Sequence, residues 1–310
     1  MTFVPIQDIR SGGAPTDSSA VHPAPVENRT RRLPPWFRVR MQRGPDYLDI
    51  RRIMDDLGLH TICEEARCPN MWECWNARTA TFLILGDICT RRCHYCSVTT
   101  GRPAALDLDE PLRVAQAVHA LSLRHAVITS VNRDELADGG AAIFAGTIRH
   151  IRRVIPACTI EVLIPDFEGN ATALATVCAE KPDILNHNIE TVRRLFPSIR
   201  PQGKYSRSID LLRHAGQLGM KTKSGLIVGM GETMEEAREV MRDLRSAGCE
   251  IMTIGQYLQP TKQHLPVARF YHPDEFAQLK AEGLAMGFSH VESGPLVRSS
   301  YHAEQQIAHK

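Results

Sequence analysis

The stretch TFLILGDICTRRCHYC, residues 81–96, decides the fold of this chain. Residues 81–87 form a short apolar run that ends at a glycine and an aspartate, which is the pattern of a buried strand. Three cysteines follow this run at spacings of three and two residues: Cys89, Cys93 and Cys96. Since α/β sheets carry their chemistry just past the carboxyl ends of their strands, the stretch predicts a parallel sheet with a thiol site at that edge.

A further group of cysteines precedes the strand: Cys63, Cys68 and Cys74, separated by four and five residues. We call these three the first triplet and the three that follow the strand the second triplet. Such a density of cysteines indicates disulfides in a secreted chain and metal ligands in a cytosolic one. The N-terminus lacks the charged-then-apolar order of a secretory signal, so we expect a cytoplasmic protein with reduced thiols. The other cysteines are expected to be buried structural residues: Cys158, Cys178 and Cys249.

Length, charge and hydropathy exclude several classes of protein. A chain of 310 residues is long enough for one large α/β domain or two smaller ones. The net charge of +2 argues against a nucleic-acid partner. The sequence has no run of about eighteen apolar residues, so we expect no membrane span.

Apolar runs and helix-like stretches alternate along the rest of the chain. Strands are predicted at 81–87, 125–131, 159–165, 184–190, 222–229 and 251–258. Helices are predicted at 46–59, 111–123, 141–154, 170–180, 206–219, 233–247 and 273–286, with a short apolar piece near 290–297. Six βα units in succession predict an α/β fold with a parallel sheet, either doubly wound or curled toward a barrel.

The second triplet supplies three thiolates, whereas a 4Fe-4S cluster normally takes four. Three ligands leave one iron open to a small molecule. A zinc site with a remote fourth ligand, made conceivable by His94, is the alternative, although structural zinc prefers ligand pairs on separate knuckles. The spacing, with Tyr95 before the last cysteine, resembles the radical S-adenosylmethionine (SAM) superfamily. The resemblance implies that the open iron binds the methionine part of SAM, and that an electron from the cluster splits SAM into methionine and a 5′-deoxyadenosyl radical.

Other glycine-rich and polar pieces fall at predicted strand ends. Asp138-Gly139-Gly140 resembles the glycine pair that meets the methionine amino group of SAM, or forms a plain turn. The segment 225–232 resembles the strand that borders adenine, although Glu232 could instead cap the next helix with Thr233. Polar groups within 187–190 end an otherwise apolar strand, which indicates a site. The resulting candidates for SAM contacts are Tyr95, Gly139, Gly140, Asn188, Glu190, Gly229 and Glu232.

The first triplet and the C-terminal Arg298-Ser299-Ser300-Tyr301 narrow the resemblance. Together with the second triplet they resemble the lipoyl synthase family, over a span from about Pro34 to Tyr301. Asn132 departs from the family, which usually has Asp there, and leaves one local contact open. The resemblance implies an α/β fold, a partial (β/α)6 TIM-type barrel with N-terminal and C-terminal extensions that carry an auxiliary iron–sulfur site. The implied domains are a flexible arm (1–33), an N-terminal extension with the first triplet (34–78), a radical SAM partial barrel (79–272) and a C-terminal extension (273–310).

The resemblance implies radical-based sulfur insertion. The substrate is an octanoyl chain amide-linked to a lysine of a lipoyl carrier domain, on a dehydrogenase E2 subunit or the glycine-cleavage H protein. Its carbons six and eight carry unactivated C–H bonds, which no side-chain acid or base can deprotonate. A radical oxidant is therefore required, and each hydrogen abstraction uses one SAM. Each carbon radical then attacks a sulfide of an auxiliary 4Fe-4S cluster held by the first triplet. The auxiliary cluster is thereby the sulfur donor and is dismantled in each turnover.

Two 4Fe-4S clusters and SAM are the implied cofactors. The auxiliary cluster lacks a fourth thiolate, and the resemblance favours Ser300 as its ligand, with Ser299 as the fallback. The implied partners, besides the carrier domain, are an electron donor such as a flavodoxin or ferredoxin and an iron–sulfur carrier that reloads the cluster. A basic stretch at 29–43 is either a solvated arm pinned by Trp36 and Phe37 or a docking surface for an acidic partner.

Three other functions stay open on the sequence. A biotin synthase-like or methylthio-transferring radical SAM enzyme would share the second triplet, but not the first triplet or the terminal serines. A non-enzymatic, ferredoxin-like electron carrier would need no six-unit α/β body and usually has four cysteines for each cluster. A zinc-binding nucleic-acid module is disfavoured by the modest charge outside the arm.

Overall fold

A mostly parallel sheet forms the centre of the computed structural model, which describes residues 33–38, 44–76 and 79–306. In chain order the described strands are β1 (His60–Thr61), β2 (Thr81–Ile84), β3 (Ile88–Cys89), β4 (Thr99–Thr100), β5 (His125–Ser130), β6 (Thr159–Leu163), β7 (Ile184–Asn186), β8 (Thr222–Val228), β9 (Ile251–Gln256) and β10 (His290–Gly294). Strands β3 and β4 form a separate two-stranded sheet that includes Cys89. The other eight strands lie in the order β1-β2-β5-β6-β7-β8-β9-β10.

The eight-stranded sheet is open. Every neighbouring pair from β2 to β10 is parallel, whereas β1 pairs with β2 in the antiparallel sense. Within the described residues the edge strands β1 and β10 are not paired with each other. The predicted partial barrel is confirmed. Its six predicted parallel strands are consecutive in the sheet, and β1 and β10 extend it at its two edges.

Three of the described helices precede β2, and the others lie in the connections between the later parallel strands. They are α1 (Pro45–Asp56), α2 (Ile62–Glu65), α3 (Met71–Asn76), α4 (Glu110–Ala120), α5 (Ala141–Val154), α6 (Ala171–Ala179), α7 (Phe196–Ile199), α8 (Tyr205–Gln217), α9 (Met234–Ser246) and α10 (Pro273–Ala285). Helix α9 buries residues at helical spacing between Ala237 and Leu244, and a capping box of Thr233 and Glu236 begins it. In the part of the chain that the structure describes, no helix is long and apolar enough to cross a membrane.

All six predicted strands end earlier than the apolar pattern indicates, and two of them end three or more residues earlier. Strand β2 ends at Ile84 instead of residue 87, because Leu85 and Gly86 have φ angles of 70° and 87° and turn the chain out of the ladder. Strand β7 ends at Asn186 instead of residue 190. The polar residues of 187–190 therefore lie past the carboxyl end of a strand, which is where barrels of this type carry their sites.

A buried ion pair joins two strands of the sheet. Lys223 Nζ on β8 lies 2.9 and 3.0 Å from the two carboxylate oxygens of Glu161 on β6, and both side chains are fully buried. Asn186 Nδ2 on β7 donates to the same carboxylate at 3.0 Å. Burial lowers the pKa of Lys223, although the charge of Glu161 acts against this shift. The contacts tie three neighbouring strands together.

Residues Leu33–Lys310 form one compact unit. The last described element of its C-terminal segment is a short 3-10 turn, Ala303–Gln306, and Lys221 Nζ donates to the Gln306 carbonyl at 3.4 Å. The domain boundaries at 78 and 272 stay predictions. Most of the predicted arm at 1–33, and most of the basic stretch at 29–43, lies outside the described residues.

Candidate active site

The three thiols of the second triplet face one cavity past the carboxyl ends of the strands. This cavity of about 140 Å³ is lined by Cys89, Cys93 and Cys96 on the loop that follows β2. Its walls also include the polar residues Ser130, Asn132, His187, Asn188, Glu190 and Arg200. Within the described residues, the side-chain oxygens of Ser130, Asn132 and Asn188 are buried without a hydrogen-bond partner. Because buried polar atoms are normally paired, three unpartnered oxygens in one cavity indicate a polar ligand.

Hydrogen-bond donors also point at the sulfur of Cys89. The backbone N–H groups of Arg91 and Asn132 donate to Cys89 Sγ over N–S distances of 3.4 and 3.3 Å, and Asn132 Nδ2 lies 3.9 Å from the same sulfur. Donors of this kind stabilise a thiolate. The sequence resemblance predicts Asp at the position of Asn132. Its amide donates to the sulfur, whereas an ionised carboxylate could only accept.

Burial disfavours unpaired charge in this cavity. It raises the pKa of Cys93 and raises that of Cys96 to about 12. Burial also raises the pKa of Glu190, while the nearby Arg200 acts in the opposite direction. A buried thiol loses its proton when a metal cation takes the place of that proton. The cavity therefore fits a bound metal cation, beside the Glu190 carboxyl group and the guanidinium groups of Arg91 and Arg200.

A buried ion-pair cluster holds the thiol loop against the sheet. Arg91, between the first two cysteines of the second triplet, donates from Nε and Nη2 to the Asp134 carboxylate at 2.7 and 2.8 Å. Arg91 Nη2 also lies 2.7 Å from Asp166, which receives Arg207 Nη1 at 3.0 Å. Although burial acts in the opposite direction, Arg91 holds the pKa of Asp166 well below its usual range. The planar guanidinium, shared by two carboxylates, fixes the path of the loop.

The first triplet faces a second cavity, which also receives the C-terminal segment. Cys63 lies in α2, whose N-terminus is capped by Thr61, and Cys74 lies in α3. The cavity is lined by Cys63, Cys68, Asn70, Cys74, Thr79, Thr81, Arg298, Ser300 and Tyr301. In the described structure Ser300 thus faces the thiols, whereas Ser299 is not part of this wall.

Hydrogen bonds over more than 200 residues of chain fix the C-terminal segment at this cavity. Asn70 Nδ2 donates to the Leu296 carbonyl at 2.6 Å, and the Tyr301 hydroxyl lies 3.1 and 3.2 Å from the Glu73 carboxylate oxygens. Burial raises the pKa of Cys63 to about 12. In the described ranges, no three His, Cys, Asp or Glu side chains are grouped closely enough for a single metal ion. The thiolates of a 4Fe-4S cluster each bind a different iron, and three thiols around one cavity are a donor set of that kind.

Arg298 and Ser97 connect the two cavities. Arg298 lines the cavity of the first triplet, and its charge acts on both the Cys68 thiol and the Glu190 carboxyl group, while burial lowers its own pKa. Ser97 directly follows the second triplet, and its hydroxyl donates to the Glu65 carbonyl in α2. The two thiol sites are therefore neighbours in the fold.

The predicted SAM contacts divide into two groups. Tyr95, Asn188 and Glu190 line the cavity of the second triplet. The glycine pair lies elsewhere. Gly140 caps α5 with a φ angle of 90°, and a Cβ there would lie 2.3 Å from a leucine methyl group. Gly139 lines a neighbouring cavity of about 290 Å³ between the loops that follow β5 and β6.

Gly229 and Glu232 hold the loop after β8 in place. Glu232 accepts two backbone N–H groups at 2.6 and 2.9 Å, one of them from Gly229, and the Tyr271 hydroxyl at 2.7 Å. A Cβ on Gly229 would lie 1.9 Å from the Gln256 side chain. The capping box of α9 uses Glu236, so the alternative role of Glu232 as the cap of that helix is wrong. For these two residues and the glycine pair, contact with SAM stays a prediction.

Sequence patterns do not single out Arg91, Arg200 or Ser130, although the structure places all three at the second-triplet cavity. Isolated arginines and serines carry no periodic signal. Only the position of Arg91 inside the thiol loop could have drawn attention to it.

Family models match two parts of the chain. The model of the radical SAM superfamily matches residues 83–244. The model of the N-terminal domain of lipoyl synthase of the radical SAM family matches residues 10–68. Among solved structures, SuiB of Streptococcus suis bound to S-adenosylmethionine gives a TM-score of 0.56 at 9% identity, over 74% of this chain and 52% of that one. Methylornithine synthase (PylB) gives a TM-score of 0.52 at 13% identity, over 68% and 70%. These two likenesses establish the fold.

Curated relatives extend over nearly the whole chain. The lipoyl synthase of Rubrobacter xylanophilus is 62% identical over 275 residues, which cover 88% of this chain and 86% of the relative. That of Symbiobacterium thermophilum is 56% identical, over 93% and 91% of the two chains. That of Bacillus subtilis is 54% identical, over 89% and 94%. The chain therefore belongs to the lipoyl synthase family, a group of sulfur-inserting enzymes within the radical SAM superfamily.

Proposed function

We propose that this chain inserts two sulfur atoms, at carbons six and eight, into an octanoyl chain that is amide-linked to a lysine of a lipoyl carrier domain. The observation that carries the proposal is the pair of neighbouring cavities, each lined by three thiols. One cavity suits a cluster that cleaves SAM, and the other suits a cluster that is consumed as the sulfur substrate. Both are needed, since unactivated C–H bonds require a radical oxidant and the product requires sulfur.

In the proposed enzyme Cys89, Cys93 and Cys96 hold a 4Fe-4S cluster, which together with SAM supplies the 5′-deoxyadenosyl radical. The shared cavity and the N–H donors at Cys89 support this assignment. Glu190 and Arg200 face the same cavity with opposite charges, so we assign them to the ammonium and carboxylate groups of the methionine part of SAM. The unpartnered oxygens of this cavity offer acceptors for the rest of the ligand.

We assign the first triplet and Ser300 to the auxiliary 4Fe-4S cluster. The support is that Ser300 lines the cavity of the three thiols, and that the charge of Arg298 acts on Cys68. A hydroxyl oxygen is a harder and less usual ligand for such iron than a thiolate. A weaker ligand suits an iron that must leave when its sulfide is taken.

The substrate and the consumed cluster define the partners. We propose that the chain acts on octanoylated carrier domains of the dehydrogenase E2 or glycine-cleavage H type. It also needs an electron donor such as a flavodoxin or ferredoxin, and an iron–sulfur carrier that restores the auxiliary cluster. All nine cysteines are free thiols, which suits a reducing compartment such as the cytoplasm.

Substitution of a ligand in the second triplet separates the two cluster roles. Anaerobically purified chain should hold about eight irons, as two 4Fe-4S clusters require. Cys93→Ala should abolish the cleavage of SAM by dithionite-reduced protein, whereas the first-triplet cluster persists. Release of 5′-deoxyadenosine by the Cys93→Ala protein would show that the assignment is wrong.

Substitution of the terminal serines tests the auxiliary site. Ser300→Cys should keep the cluster but hold its iron more firmly, so that SAM cleavage persists while sulfur insertion falls sharply. Ser299→Ala is the matched control and should retain wild-type sulfur insertion. Wild-type insertion by Ser300→Ala, with an unchanged cluster spectrum, would rule out Ser300 as the ligand and leave Ser299.

A further inference from the structure

A loop that follows β9 reaches back across the open barrel to the second triplet. This loop, residues 257–268, contains neither helix nor strand, and we call it the strap. Its two ends are fixed to the β8 strand end: the Tyr257 N–H donates to the Val228 carbonyl at 2.8 Å, and the N–H of residue 268 donates to the Gly229 carbonyl at 2.9 Å. Inside the strap the Tyr257 hydroxyl donates to the Leu265 carbonyl at 2.7 Å. The strap therefore has a defined shape without regular secondary structure.

The middle of the strap contacts the backbone of the thiol loop at two points. The Leu265 N–H donates to the His94 carbonyl at 3.1 Å. The ring Nε2 of His264 lies 2.9 Å from the Cys96 carbonyl oxygen, across 168 residues of chain. Four strands lie between β2 and β9 in the sheet, so these contacts bridge the loops of two distant strands.

The hydrogen bonds of His264 select one tautomer of its ring. A carbonyl oxygen can only accept, so Nε2 carries the hydrogen toward Cys96. Nδ1 lies 2.8 Å from the Thr261 hydroxyl, which donates to it when the ring is neutral. The Thr261 oxygen in turn accepts the Gln263 N–H at 3.2 Å. Each group in this chain of hydrogen bonds is paired, so the ring is held in one orientation.

The peptide of Cys96 is also held from its other sides. The Cys96 N–H donates to the Cys93 carbonyl at 3.1 Å. The hydroxyl of the next residue, Ser97, donates to the Glu65 carbonyl of α2. With the N–H and the following side chain fixed, the contact with His264 determines the direction of the remaining group, the carbonyl. The direction of the carbonyl fixes the backbone conformation of Cys96, and with it the point from which the Cys96 Sγ atom projects into the cavity.

We propose that His264 is a positioning residue for Cys96, and that the strap determines how firmly the second triplet retains its cluster. The proposal rests on the proposed function in one respect, that Cys96 is an iron ligand. It does not require sulfur insertion. The net contribution of one hydrogen bond changes the retention of the second-triplet cluster by about tenfold at most.

The test compares two substitutions that keep different halves of the imidazole ring. His264→Gln retains a donor at the place of Nε2, whereas His264→Asn retains a group only near Nδ1. Each full-length protein is reconstituted anaerobically and incubated with an iron chelator. The part of the electron paramagnetic resonance signal that responds to SAM is followed with time in dithionite-reduced samples. His119→Asn, an exposed histidine in α4, is the control and should match the wild type.

We expect His264→Asn to lose the SAM-responsive signal about tenfold faster than the wild type, and His264→Gln to stay within about twofold. Equal rates for His264→Asn and the wild type would overturn the proposal. Equally fast loss from both variants would also overturn it, because the contact would then be merely structural.

If His264→Asn does not fold, Thr261→Val leaves the ring in place but frees its orientation, and should give an intermediate rate; a wild-type rate would count against the proposal. A wild-type chain without any SAM-responsive signal would instead contradict the proposed function.

Discussion

Gly255 lies where the C-terminal segment crosses β9, and one added methyl group there tests how that segment reaches the first triplet. A Cβ on Gly255 would lie 2.1 Å from the Val297 carbonyl oxygen and 3.1 Å from its carbonyl carbon. Ordinary contact begins at 3.4 Å, so the crossing must open by about 1.3 Å. Gly255 is paired on both sides, with Ile227 of β8 and Gly294 of β10, so the C-terminal segment is the part that has to move.

We expect Gly255→Ala to lower the free energy of unfolding by about 2 kcal/mol, the usual cost of one methyl group forced into a packed site. The displacement also moves Arg298 and Ser300, which directly follow the crossing. Urea unfolding of the cluster-free chain measures the first effect. Iron analysis after reconstitution measures the second, and should fall from about eight irons toward four.

Gly216→Ala is the matched control for this substitution. Gly216 is exposed in α8, and a Cβ there would meet nothing within 4 Å. The Gly216→Ala substitution should therefore raise the free energy of unfolding by about 0.5–1 kcal/mol, because alanine favours a helix. Wild-type unfolding and wild-type iron content in Gly255→Ala would refute the reasoning about the crossing.

Two further substitutions test buried charges. Asp166→Asn leaves Arg91 without one carboxylate and should destabilise the chain by about 3 kcal/mol in urea unfolding at pH 7. Because the pKa of Asp166 is depressed in the fold, its contribution is complete above about pH 4, the unfolded value, and the difference from the wild type should shrink as the pH falls further. Glu161→Gln leaves Lys223 unpaired and should cost about 3 kcal/mol, whereas the double variant with Lys223→Met should recover most of it.

Local patterns in the sequence predicted the strands and helices well. Six parallel strands follow from apolar runs separated by helical stretches, and helix α5 spans residues 141–154 as predicted. Helix α9 follows from buried residues at helical spacing and from its N-terminal cap. These elements are short-range in sequence, so composition and periodicity determine them. The short strand β1 and the early end of β7 were not predicted, since pairing with a neighbour determines such boundaries.

The site residues that the sequence singled out lie within a motif or at the end of a predicted strand. The six cysteines are close to each other in sequence, and Ser300 belongs to the C-terminal Arg298-Ser299-Ser300-Tyr301 motif. In the structure these residues line two cavities. Contacts such as Asn70 with Leu296, or His264 with Cys96, join residues more than 160 positions apart. No local pattern encodes such a pair, because it depends on how the open barrel brings its loops together.

The most direct measurement follows the sulfur atoms. The chain is reconstituted with sulfur-34 sulfide and supplied with an octanoyl-lysyl peptide, SAM and dithionite, and the product is analysed by mass spectrometry. We predict that both sulfur atoms of the dihydrolipoyl product carry the label, at no more than one product for each reconstituted chain. A product with unlabelled sulfur, or an octanoyl peptide left unchanged while SAM is cleaved, would contradict the proposed role of the first-triplet cluster as the sulfur substrate.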